Sequence, residues 1–93
     1  MSSYRIFETR ELLAALERLD EQQRRFIEPK LRRRIYLQLK EQPHYGVNIR
    51  KVRGYAPDTW RYRLGRFRLF YTINEPEKIV AILTVDDRKD AYR

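Results

Sequence analysis

The sequence predicts an α+β fold, with a pair of antiparallel helices packed on one face of a small, twisted, mainly antiparallel β-sheet and the opposite face open and basic. Three observations predict it. Leucine and isoleucine recur at helical spacing between Thr9 and Leu39, and apolar and polar residues alternate on both sides of Gly65-Arg66. The run Lys78 to Val85 is short and apolar on both faces, as a strand inside a sheet would be. The expected element order is β-α-α-β-β-β, with Asn48 to Arg53 as a further, weak strand ahead of the hairpin.

Tyr4-Arg5-Ile6-Phe7 reads as a short first strand, and Thr9 as the N-cap of a first helix running to about Leu19, with Glu11 near its positive end. Leu12, Leu13, Leu16 and Leu19 form the apolar stripe of that helix. Asp20 to Gln23 is expected as a turn or frayed segment. Pro29 is uncomfortable deep in a helix, so the second helix is expected to start near Ile27 or Glu28, with the proline in its first turn. Ile27, Leu31, Ile35 and Leu39 make its buried row. The run Arg32-Arg33-Arg34 is read chiefly as a solvated flank. Gln42 to Gly46 ends the helix and turns the chain, and His44, the one histidine, is expected to be exposed in that loop. In Asn48 to Arg53, Ile49 is the inward candidate and Val52 is out of phase with it. Gly54 to Asp58 is a turn, and Asn74 to Glu77 is another.

The centre of the chain is the hairpin. With Gly65 first in a two-residue turn of type II′, Leu64 faces Phe67, Tyr62 faces Leu69 and Trp60 faces Tyr71, which makes one apolar face. The other face sets Arg63 against Arg68 and Arg61 against Phe70. Like charges directly opposed are unfavourable by roughly a few tenths to 1 kcal/mol. Two readings of that face stand: solvation of an open sheet, or a site for an anion. Arginine suits bidentate phosphate contacts, and an aromatic between arginines suits a flexible RNA strand.

Ninety-three residues make one domain, residues 1–93. The net charge of +8 makes nucleic acid the leading partner class, against an acidic protein partner or a merely basic surface. Without cysteine there is no disulfide, thiolate metal site or cysteine nucleophile. A single histidine gives no ligand set, and there is no glycine-rich phosphate loop, so no metal and no nucleotide cofactor is expected. No apolar run approaches the ~20 residues of a membrane span and the N-terminus is not a signal peptide, so a cytoplasmic protein is expected.

Taken together, KVRGYAPDTWRYRLGRFRLFYTI and ILTVDDRKDAYR resemble the RelE/ParE superfamily of toxins from toxin–antitoxin modules. The basic-plus-tyrosine ending, Arg88 followed by Tyr92, is similar to the RelE branch. That resemblance implies a RelE-like fold and a metal-independent endoribonuclease that enters the ribosomal A site, cuts messenger RNA and inhibits translation. It implies catalytic roles for Arg61, Arg63, Arg68, Arg88 and Tyr92. Phe70 is a candidate RNA contact, and Lys51, Arg53, Lys89 and Arg93 are candidate contacts to RNA backbone. The implied partners are a cognate antitoxin, the ribosome and messenger RNA.

Two departures bear on the chemistry. The RelE pattern carries lysines where this chain has Arg61 and Arg63, and many relatives have histidine where it has Asp87. An arginine is a poor general base, which leaves the proton acceptor open between Tyr92, as a phenolate favoured by nearby cations, and another group. Tyr92 can also be read as stacking on a base, or as a residue packing on the sheet. The other readings of the whole chain are a gyrase-directed toxin of the ParE kind and a non-catalytic RNA-binding or antitoxin-binding module on the same scaffold.

Overall fold

A computed structural model describes residues 3–88. The elements are β1 (Arg5–Glu8), α1 (Arg10–Arg18), α2 (Glu21–Lys30), a π-helical turn (Leu31–Ile35), α3 (Tyr36–Glu41), β2 (Ile49–Val52), β3 (Thr59–Leu64), β4 (Phe67–Asn74) and β5 (Ile79–Asp87). The weak strand is thus a full member of a five-stranded sheet of order β1-β5-β4-β3-β2, in which only the β1–β5 pair is parallel. The α+β prediction holds, with the helices on one face of the sheet. Among the described residues no helix is long and apolar enough to cross a membrane.

Thr9 starts α1 as expected, its side chain accepting from the Leu12 N–H. The same hydroxyl donates to the Ile82 carbonyl at 2.6 Å, fixing the helix start to β5. Leu12 and Leu16 are buried, but Leu13 falls outside the stripe and is exposed.

The second helix departs from expectation. It begins at Glu21, because Asp20 is its N-cap in a capping box: Asp20 accepts from the Gln23 N–H, and the Gln23 side chain accepts from the Asp20 N–H. Pro29 therefore lies inside the helix. It can give no N–H to the turn before it, and a wider π turn follows, closed by the Tyr36 N–H on the Leu31 carbonyl. The early start is favoured by Phe26, which stacks on Phe67 of β4 at 5.4 Å between centroids. Ile27, Leu31, Ile35 and Leu39 form the buried row predicted.

Tyrosine hydroxyls tie the helical layer to the sheet. Tyr62 donates to Gln38 at 2.8 Å, Tyr71 to the Pro43 carbonyl at 2.7 Å, and Tyr36 to Glu8 at 2.8 Å. Burial raises the pKa of Tyr71, and burial together with the Glu8 carboxylate raises that of Tyr36. An unfolded tyrosine ionises near pH 10, whereas these two hold their protons to higher pH in the fold. Above about pH 10 the unfolded state therefore binds fewer protons, and stability falls with rising pH. In thermal unfolding followed from pH 8 to 11.5, the midpoint is expected to drop above about pH 10, and less steeply in the Tyr36→Phe/Tyr71→Phe protein.

His44 is not simply exposed. Its Nε2 lies 2.8 Å from Glu75, and its ring meets the Trp60 ring edge-on at 5.3 Å, so the loop after α3 is pinned to the β4–β5 turn. Asp86 and Asp87 also depart from expectation. Both belong to β5, which runs two residues past the expected end at Val85, and Asp87 is 1% exposed. Its carboxylate is satisfied by charge-assisted bonds, accepting from Arg66 and from the Gln23 side chain, each at 2.9 Å.

Candidate nucleic-acid interface

The register of the hairpin builds the site. Gly65 has φ 58°, while Arg66 has negative φ, as a type II′ turn requires. The pairs Leu64–Phe67, Tyr62–Leu69 and Trp60–Tyr71 on the core side, and Arg63–Arg68 and Arg61–Phe70 on the open side, are those expected. Beyond β4, Phe70 pairs with Thr84 and Arg68 with Asp86. Between Phe70 and Tyr71 the register shifts, leaving Leu83 of β5 as the extra residue of a bulge. On the other side of β3, Arg61 pairs with Arg50 of β2. Two rows therefore cross the open face: Thr84, Phe70, Arg61, Arg50 and, nearer the turn, Asp86, Arg68, Arg63.

Arg50 was not legible as a member. Ile49 and Val52 are out of phase, so alternation could not say which residues of this short strand share the arginine face. The partner strand decides it, setting Arg50 beside Arg61 and Lys51 beside Trp60 on the helix side. Lys51 lies outside the cluster and pairs with Asp58 at 3.1 Å. Arg53 lies exposed in the turn beyond β2. The N–H of Arg88 donates to the Arg66 carbonyl at 2.8 Å, so Arg88 sits at the hairpin-turn end of the sheet, the end that carries Arg63 and Arg68. Lys89, Tyr92 and Arg93 lie outside the described residues.

The electrostatics of the rows are unequal. Arg68 is held on two points by Asp86, Nε to Oδ1 at 3.0 Å and Nη2 to Oδ2 at 3.4 Å, and its guanidinium lies 5.9 Å from the Phe70 ring centroid. Arg61 has a buried Nε with no hydrogen-bond partner among the described residues. Its pKa is depressed, first by burial and then by Arg63, Arg50 and Arg68. A guanidinium stays charged even so, and the fold thus holds a cation where both desolvation and its neighbours disfavour it. An anion on this face would offset the repulsion of those neighbours. Chemically, the arrangement can clamp a phosphate and neutralise charge developing on it, with Phe70 offering a ring for stacking.

The family described as "ParE toxin of type II toxin-antitoxin system, parDE" matches residues 6–92. A search of curated proteins by sequence finds no match. Among solved structures, the chain is similar to the archaeal RelE–RelB complex from Pyrococcus horikoshii, with 28% identity, 92% of this chain and 96% of that chain covered, and a TM-score of 0.62. It shares its fold with the RelBE2 toxin–antitoxin complex of Mycobacterium tuberculosis, at 24% identity, 95% and 94% coverage and a TM-score of 0.75. The same holds for the intact E. coli RelBE complex, at 23% identity, 91% and 96% coverage and a TM-score of 0.65.

Proposed function

We propose that this chain, which belongs to the ParE toxin family of type II toxin–antitoxin systems within the RelE/ParE superfamily, is a RelE-type ribosome-dependent endoribonuclease that cuts messenger RNA in the A site. The observation that carries this reading is the arginine cluster on the open sheet face, with the Arg61 Nε buried and unpartnered. A phosphodiester on that face relieves the mutual repulsion of Arg61, Arg50, Arg63 and Arg68.

The chemistry this supports is attack of the ribose 2′-hydroxyl on the adjacent phosphate, giving a 2′,3′-cyclic phosphate and a free 5′-hydroxyl. Arg61 and Arg63 hold the non-bridging oxygens and stabilise the charge added in the transition state. Arg68 joins them from the opposing strand, and Arg88 acts at the turn end. Phe70 stacks on a neighbouring base. The partners are the ribosome with its messenger RNA, and a cognate antitoxin whose acidic segment covers the basic face when the toxin is silent. Assembly of the neighbouring toxins with antitoxins supports the latter.

Primer extension on a reporter messenger RNA in a translating cell-free system tests the reading. New 5′ ends in register with codons are expected with the wild-type protein, absent without ribosomes and lost in Arg68→Ala/Arg88→Ala. No new ends from folded wild-type protein would overturn it. The second reading, a toxin directed at DNA gyrase, has the ParE family description in its favour. It predicts inhibition of gyrase supercoiling that survives neutralisation of Arg63 and Arg68.

A further inference from the structure

We propose that Asp86 is the general base of the cleavage reaction, a role that rests on the nuclease reading above. The arginines can hold a phosphate but cannot take a proton from the 2′-hydroxyl. Among the described strand residues, Asp86 is the one carboxylate on the open face. Its neighbour Asp87 points to the core, and Glu8 is turned to the helix side by Tyr36 and Arg32. Asp86 ends the row that runs through Arg68 to Arg63, so it stands at the edge of the phosphate clamp rather than apart from it.

Its geometry fits the task. The two-point contact with Arg68 fixes the carboxylate plane and uses one acceptor site on each oxygen. A carboxylate has about four such sites, so each oxygen keeps another for a hydroxyl hydrogen. The side chain is 40% exposed, within reach of a substrate that Asp87, fully enclosed, could not meet. Arg68 in turn keeps N–H donors beyond the two given to Asp86. One guanidinium can thus hold the base and the phosphate side by side, which brings the base within reach of the same ribose. The charged groups around Asp86 are Arg68 on β4, Arg63 and Arg61 on β3, Arg50 on β2, and Arg66 and Arg88 at the turn end.

In the step itself, the 2′-hydroxyl proton passes to an Asp86 Oδ as the 2′-oxygen bonds to phosphorus. The bond from phosphorus to the 5′-oxygen breaks with its electron pair on that oxygen, which takes a proton from solvent. Asp86 returns its proton to water.

Single-turnover cleavage at pH 7 on purified, messenger-programmed ribosomes, with saturating toxin, tests the assignment. Asp86→Asn is expected to cut about 10²–10⁴-fold more slowly, with little change in the toxin concentration needed for saturation. Asp86→Glu should keep most of the rate, and formate should restore rate to Asp86→Gly in proportion to its concentration. Asp86→Asn with the wild-type rate overturns the role, and so does absence of formate rescue in folded Asp86→Gly. Wild-type protein that cuts nothing removes the nuclease reading itself; an undiminished Asp86→Asn rate beside active wild type removes Asp86 alone.

Discussion

Arg61→Met is expected to cut messenger RNA about 10²–10³-fold more slowly than wild type, the cost of losing one preorganised donor to the transition state. The same substitution is expected to stabilise the fold. A buried donor without a partner costs about 1–3 kcal/mol, and methionine keeps most of the apolar stem of the side chain while removing that donor. It also removes a charge that Arg50, Arg63 and Arg68 repel. Arg61 as a whole is only half-buried, so the penalty is confined to the Nε donor and a net gain of about 1 kcal/mol is expected. In a domain of this size that raises the melting midpoint by about 4–8 °C. Thermal unfolding and single-turnover cleavage, measured on the same preparation, check the two halves. A protein that melts lower and cuts at full rate would make Arg61 a packing residue. Opposite movements of stability and rate are the mark of a position kept for function against the interest of the fold.

The reasons that the place of Arg61 in the hairpin was legible in the sequence also explain what was not. The hairpin announces itself because Gly65 forces the turn and the alternation on both sides fixes a register; a slip by one residue would bury the arginines. From that register the Arg63–Arg68 and Arg61–Phe70 pairs follow without further information. Arg50 needed a third strand whose own pattern is ambiguous, and only pairing with β3 shows its face. The start of α2 was hidden for a different reason. Residues 21–25 carry no apolar periodicity, and Pro29 offers a more visible boundary than the Asp20–Gln23 capping box. Tertiary packing of Phe26 on Phe67 favours the longer helix, and the π turn accommodates the proline within it. The burial of Asp87 was not legible because a carboxylate is ordinarily exposed, whereas its acceptance of bonds from Arg66 and Gln23 depends on residues 21 and 64 positions away.

Asp87→Ala is expected to destabilise the protein by about 2–3 kcal/mol, as loss of charge-assisted bonds and a small void at an enclosed site. Against the ~5–14 kcal/mol usual for a domain of this length, that is a large share. Urea unfolding measures it. The cost falls on a junction, since Asp87 joins the α2 capping residue Gln23 to the hairpin-turn residue Arg66 at the end of β5. Asp86 and Arg88 are its chain neighbours, so loosening that end is expected to slow cleavage by displacing them, even at a temperature where the protein stays folded. Leu39→Ala provides the comparison. It empties a fully buried position on the helix layer and is expected to cost about 2–5 kcal/mol, but it leaves the open face untouched. At a temperature where both variants are folded, Leu39→Ala should cut at nearly the wild-type rate and Asp87→Ala should not. Equal rates in the two would mean that Asp87 serves stability alone. Unequal rates would show how adjacent carboxylates on opposite faces of one strand divide the work: the enclosed one holds the strand end in place, and the open one stands beside the phosphate.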